Sequence, residues 1–323
     1  MRPRPKTSSA ALSALLTLPL SLSLLAASPA VAKKAAKPAA SAAIVAGAAA
    51  ATPTSPRPAL QFTRIGKGPA VVLVHGLGGD RAVWADEMLR LSQRYTVVAL
   101  DLPGHGVTAP PTQVSLQTAA QQIAKLIRDE KLAPATLIGH SLGGTLAAWT
   151  AVVDPGAVRG VLIVDSQVAP WPMPEADRAR LRADLLRDPT TTLRRFYGPM
   201  TSSLRQLDKI VASAVRVPPA TMAGYIDQST SHDLDERVKD IRVPVHLIAS
   251  SLTISNQDPS AARLAIQTAG YSTIPRFSYE VFPQSKHWLL WDEPEKFRTA
   301  VDHFLETVNR PNVSTAPAPG KRG

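Results

Sequence analysis

The stretch Ala135-Thr136-Leu137-Ile138-Gly139-His140-Ser141-Leu142-Gly143-Gly144 decides how this chain is read. Ala135 to Ile138 have strand character and run into Gly139-His140-Ser141-Leu142-Gly143, a G-x-S-x-G pentapeptide. A helical pattern then continues from Thr145 to Val153. Strand, tight turn and helix together form the setting in which a serine hydroxyl is lifted above a sheet on a strained backbone. Side chains two positions before and after that serine would collide across the turn, and glycine at 139 and 143 removes the collision. Ser141 is therefore the candidate nucleophile. The competing reading is an ordinary glycine-rich turn after a strand.

Upstream, the apolar run Ala70–Val74 ends in His75-Gly76-Leu77-Gly78-Gly79. Acyl transfer needs two backbone N–H donors aimed at the developing oxyanion. Leu142, just after the serine, and Leu77, just after the His-Gly turn, are the candidates. His75 lies in the turn itself and reads as structural. For this kind of elbow the general base follows the serine in chain order. His287 meets that requirement in Phe282-Pro283-Gln284-Ser285-Lys286-His287-Trp288, past the last apolar run. His105 precedes the serine, His246 falls within a strand and His303 within a helix; His232 is the remaining competitor. The acid that orients the base normally follows the penultimate strand, here Val243–Ala249, and Asp258 is the first carboxylate after it. Asp165, at the end of the preceding strand, is the alternative.

Working further outward, the apolar runs Ala70–Val74, Thr96–Leu100, Ala135–Ile138, Gly160–Val164, Val243–Ala249 and Tyr279–Phe282 alternate with helical patterns. Several are apolar at consecutive positions, as strands of a parallel sheet covered on both faces must be. One helical stripe is Leu116, Ala119, Ala120, Ile123 and Ile127, with Ser115 as its cap. Another is Phe297, Val301, Phe304 and Val308, opened by Pro294. From about Val168 to Asp240 the rhythm breaks into a stretch rich in Arg, Asp, Leu and Pro, which reads as a helical lid. The expected class is α/β, with a mostly parallel sheet flanked by helices over residues 59–310.

The net charge of +11 suggests a nucleic-acid or membrane-surface partner until its location is examined. Seven cations precede residue 59 with no acid among them, and three follow residue 309. Those ten of the 36 Lys and Arg leave a remainder that nearly balances the 25 acidic residues. The folded part is close to neutral, so a nucleic-acid partner is not expected.

Residues 1–32 read as a secretory signal peptide: Arg2, Arg4 and Lys6, an apolar run from about Ala10 to Ala27, then Ala30-Val31-Ala32. A retained membrane anchor is the competing reading. Export to the periplasm or medium follows from cleavage. Residues 33–58 read as an Ala/Pro-rich linker and 311–323 as a disordered tail. There is no cysteine, so no disulfide forms.

Taken together, His75-Gly76 after one strand, Asp101-Leu102-Pro103-Gly104-His105-Gly106 after the next, Gly139–Gly144, and His287 followed by Asp292-Glu293-Pro294 resemble the α/β-hydrolase superfamily. The resemblance covers about Leu60 to Asn309. It implies Ser141 as nucleophile, His287 as base and Leu77 and Leu142 as oxyanion donors. It further implies ester or related acyl hydrolysis of a small, apolar substrate, with no metal or organic cofactor. A perhydrolase or C–C hydrolase would use the same residues, and a non-catalytic ligand-binding protein could share the fold. The chain departs from the pattern in two places: the acid loop carries Ser250-Ser251 where a glycine turn is usual, and Lys286 replaces a small residue. Trp171, Phe196, Tyr197, Met200 and Tyr225 are expected either to line an acyl pocket or to pack the lid helices.

Overall fold

Seven strands form one sheet in the order β1-β3-β2-β4-β5-β6-β7 in the computed structural model, which describes residues 59–254 and 258–310. The strands are β1 Phe62–Ile65, β2 Ala70–Val74, β3 Thr96–Leu100, β4 Ala135–His140, β5 Val158–Val164, β6 Val245–Ser250 and β7 Phe277–Phe282. All neighbours run parallel except β1, which pairs antiparallel with β3. Helices α1 Ala85–Leu91, α2 Leu116–Asp129, α3 Leu142–Val153, α9 Pro259–Thr268, α10 Leu289–Asp292 and α11 Pro294–Asn309 flank it. Between β5 and β6 the chain makes α4 Glu175–Arg187, α5 Pro189–Tyr197, α6 Leu204–Ala214, α7 Pro219–Ser229 and α8 Leu234–Arg237.

The consecutive apolar residues of each strand divide between two cores. Val72, Val74, Leu137, Val161 and Ile163 face α2 and α3, whereas Val71, Leu73, Ile138, Leu162 and Val164 face α1, α11 and part of the helical insertion. A strand buried on both faces favours apolar residues at consecutive positions, and each large apolar side chain contributes roughly 1.5–3 kcal/mol of burial. Helix α11 approaches β5 closely at Gly160, where a Cβ would lie 2.8 Å from Val308 Cγ1.

The six expected strands are all present, and the two expected helical stripes are α2 and α11. Ser115 caps α2, its hydroxyl accepting from the Thr118 N–H at 3.2 Å. Strand β1 was not anticipated. Its four residues are only half-buried or exposed, so it carries no apolar run to announce it. The expected signal peptide, linker and tail lie outside the described residues. Among the described residues, no helix is long and apolar enough to cross a membrane.

Candidate active site

The β4–α3 junction holds Ser141 at φ 53° and ψ −126°. For a residue with a Cβ this is a sparsely populated conformation costing on the order of 1–3 kcal/mol, and surrounding structure must hold it. The Ser141 N–H donates to Val164 O at 2.9 Å, and the Ser141 carbonyl accepts from the Gly144 N–H at 2.7 Å. A Cβ on Gly139 would strike the Gly143 carbonyl and sit 2.5 Å from the Gly144 nitrogen. One on Gly143 would strike the Val74 carbonyl and come within 2.6 Å of His75 O. Both glycines are thus required by close backbone approach. Leu142 is the first residue of α3, so its N–H is one of the first-turn donors with no intrahelical acceptor, at the positive end of the helix dipole.

The turn after β2 abuts the elbow: a Cβ on Gly76 would lie 3.0 Å from Ser141 Cβ. Two buried histidines hold this turn. His75 Nδ1–H donates to Gly76 O at 2.8 Å, and its Nε2 accepts from the Leu102 N–H at 3.0 Å. His105 Nδ1–H donates to Pro103 O at 3.2 Å, and its Nε2 accepts from the Gly78 N–H at 3.1 Å. Each ring therefore has one donor and one acceptor in use, which requires the neutral form. Burial pushes the His75 imidazole down from its ordinary value. Burial, helped by the repulsion that two charged rings would feel beside each other, pushes His105 down to about 3. From the insertion, Tyr197 Oη–H donates to Leu77 O at 2.9 Å, so the peptide beside the expected oxyanion donor is tethered on its carbonyl side. Asp80, next along, accepts from Ser213 Oγ–H at 2.9 Å and from Arg216 at 2.8 Å.

His287 follows β7, and its ring meets the end of β5. His287 Nδ1–H donates to Asp165 Oδ2 at 2.7 Å. The Asp165 carboxylate is buried, and it also accepts from the Ser250 N–H at 2.6 Å, from Ser250 Oγ–H at 3.0 Å and from the Thr253 side chain. Burial by itself would raise its pKa. The hydrogen bond and charge of His287, together with the donors from residues 250 and 253, outweigh burial and hold the carboxyl below the usual range. His287 is anchored by its backbone as well. Its carbonyl accepts from His140 Nε2–H at 2.9 Å, and its N–H donates to Met200 O at 3.1 Å. The His140 and His287 ring centroids are 4.6 Å apart. His140 is buried and pushed down to about 3, chiefly by burial and secondly by the His287 charge.

The expectation that Asp258 partners His287 is corrected. Asp258 is exposed and caps α9, accepting from the Ser260 N–H at 3.0 Å. Asp165, the alternative, holds the histidine. In the register of β4 against β5, His140 faces Val164, which puts Ser141 and Asp165 side by side just past the ends of adjacent strands. The end of β6, where the acid was expected, supplies the hydroxyls of Ser250 and Thr253 instead.

The four aromatics and one methionine expected in the lid divide. Tyr197 and Tyr225 are buried and use their hydroxyls as tethers, Tyr225 donating to Pro103 O at 3.2 Å. Trp171, Phe196 and Met200 are half-buried, with the Trp171 and Phe196 rings 5.9 Å apart. The sequence reading missed the tether of Tyr197, the support from Ser250 and Thr253, and the His140 contact. The last had a visible signal, a histidine directly before the elbow serine. Among the described residues no group of three His, Asp or Glu side chains is placed to hold a metal ion.

Comparison with known proteins agrees with this architecture. Pimeloyl-[acyl-carrier protein] methyl ester esterase of Nitrosomonas europaea is 28% identical over 251 residues, spanning 73% of this chain and 96% of that one. (E)-2-((N-methylformamido)methylene)succinate hydrolase of Acinetobacter baylyi is 27% identical over 257 residues, covering 75% and 92% of the respective chains. The enol-lactonase of Burkholderia xenovorans LB400 superposes with a TM-score of 0.66 at 20% identity, over 76% of this chain and 96% of that structure. The profile of the alpha/beta hydrolase family matches residues 71–300, from the second residue of β2 into the middle of α11. That span takes in the elbow, both flanking turns and the late histidine, and the chain belongs to the alpha/beta hydrolase family.

Proposed function

We propose that this hydrolase is a serine hydrolase that cleaves a carboxylic ester or related acyl bond through an acyl-enzyme. The observation that carries the reading is the hydrogen bond from His287 Nδ1 to buried Asp165, on the strand next to the elbow that presents Ser141. With the Nδ1 proton engaged by the carboxylate, Nε2 keeps its lone pair and serves as base. It takes the Ser141 hydroxyl proton as Oγ attacks the substrate carbonyl. The Leu77 and Leu142 N–H groups receive the oxyanion, each worth roughly 3–4 kcal/mol of barrier lowering in comparable sites. His287 returns the proton to the leaving alcohol. A water then gives a proton to His287 and attacks the acyl carbon, and the proton returns to Ser141 Oγ as the acid leaves. The similarity to a methyl ester esterase supports the ester class, and half-buried Trp171, Phe196 and Met200 support an apolar acyl group.

The test is labelling by a fluorophosphonate, alongside hydrolysis of p-nitrophenyl esters of increasing chain length. The native chain is expected to label and turn over, with Ser141→Ala losing both. Labelling that survives Ser141→Ala would assign the nucleophile elsewhere, and an unreactive native chain would remove the proposal.

A further inference from the structure

The loop that carries His287 is held from a second direction by a carboxylate that takes no part in the chemistry above. Asp292, at the end of α10, accepts from the Lys286 backbone N–H at 2.8 Å and from Ser202 Oγ–H at 2.8 Å, both through Oδ2. Its Oδ1 accepts from Gln206 Nε2 at 2.6 Å. Ser202 and Gln206 belong to the helical insertion, at the entry to α6. The same short segment makes two more bonds to the loop: Met200 O accepts from the His287 N–H at 3.1 Å, and Thr201 O accepts from Lys286 Nζ at 3.0 Å. Glu293 adds the neighbouring residue, accepting from Ser285 Oγ–H at 2.7 Å. Residues 285, 286 and 287 are thus each tied down, two of them to the insertion, and Asp292 is the atom group common to the loop and to α6.

A base must sit within a few tenths of an ångström of its working position, since a shift near 1 Å costs on the order of 100-fold in rate. Asp165 fixes the far side of the ring and the direction of Nδ1–H. It does not fix where along the loop the backbone places the ring. We propose that Asp292 is a positioning residue that sets the placement of His287 by joining its loop to residues 200–206 of the insertion, an inference resting on the serine-hydrolase reading. The insertion then acts on the rate step through the base. Lys286 is part of the same join through its backbone N–H and its Nζ.

The experiment uses the full chain and a short p-nitrophenyl ester, with kcat and KM read separately and the phosphonylation rate of Ser141 as a second readout. Asp292→Ala is expected to lower kcat and the phosphonylation rate by about 10- to 100-fold while KM stays within about threefold. Asp292→Asn keeps an oxygen for the Lys286 N–H and is expected to recover to within about fivefold of native. Gln206→Ala combined with Ser202→Ala removes the two side-chain bonds from the insertion to Asp292 and leaves those of Met200 O and Thr201 O in place. It is expected to lower kcat several-fold and to add little on top of Asp292→Ala, because the two act through one network.

A kcat for Asp292→Ala within about threefold of native, or a loss appearing only in KM, overturns the inference. If Asp292→Ala does not fold, the Ser202→Ala/Gln206→Ala chain decides: unchanged kcat overturns the inference and lowered kcat supports it. A native chain that neither labels nor turns over overturns both readings. A native chain that labels while Asp292→Ala is indifferent overturns this one alone.

Discussion

Acidification from pH 7.5 to 5.0 should weaken this fold through its buried neutral histidines. His105 and His140 are pushed from an ordinary 6.5 down to about 3, mainly by burial. The unfolded chain takes up protons near pH 6.5, whereas the folded chain refuses them until about pH 3. Stability is therefore intact above about pH 7 and falls as pH drops from there. At about 1.4 kcal/mol per unit, lowering the pH to 5.0 favours the unfolded chain by about 2 kcal/mol for each histidine, or about 4 for the pair. His75 and His232 are also lowered and add in the same direction. The depressed carboxylates Asp165 and Asp80 contribute only at lower pH, since they hold stability above the ordinary carboxylate value and release it as pH falls further. In urea unfolding followed by tryptophan fluorescence, a slope of about 3 kcal/mol/M turns a 4 kcal/mol loss into a midpoint drop of roughly 1 M or more. His105→Gln keeps an acceptor for the Gly78 N–H without the titration, and its midpoint should move about half as far. Midpoints at the two pH values agreeing to within about 0.3 M would refute the claim that these rings are buried and neutral.

Three further substitutions test the site. Asp165→Asn should leave a folded protein whose kcat falls by about 10²- to 10⁴-fold, as the wrong histidine tautomer is favoured. Asp258→Ala should cost about 1 kcal/mol through loss of the α9 cap and change kcat by less than about twofold; equal losses in the two variants, read by ester hydrolysis, would contradict the Asp165 pairing. Gly139→Ala sets a methyl group against the Gly143 carbonyl, and a calorimetric melt should register a loss of about 3 kcal/mol or more together with loss of labelling. A native-like melting temperature would mean the elbow is less tightly packed than described.

The sheet was legible because burial on both faces writes itself into the chain as consecutive apolar residues, as in Val71–Val74 and Val161–Val164. β1 was not, because Phe62–Ile65 pairs at an edge where neither face must be apolar. Ser141, His287, Leu77 and Leu142 were named as candidates from chemistry tied to local turns. The partner of His287 could not, because which strand end presents its carboxylate to the ring depends on how deeply each loop dips into the sheet edge. Chain order favoured Asp258. Burial favoured Asp165, which follows the apolar run Val161–Val164 and finds Ser250 and Thr253 waiting for it. The helical character of residues 168–240 was visible, but the polar bonds by which Tyr197 and Tyr225 reach across to other loops leave no periodic trace.

Placing the hydroxyl and the carboxylate just beyond neighbouring strands has a mechanical consequence. The ladder between β4 and β5 moves both groups together, so breathing of the sheet shifts them in step and changes their separation little. Thermal jitter of the site is then concentrated in the one partner that arrives from outside that ladder, the imidazole. Selection for precision would accordingly act on whatever steadies the β7–α10 connection more than on the strands themselves.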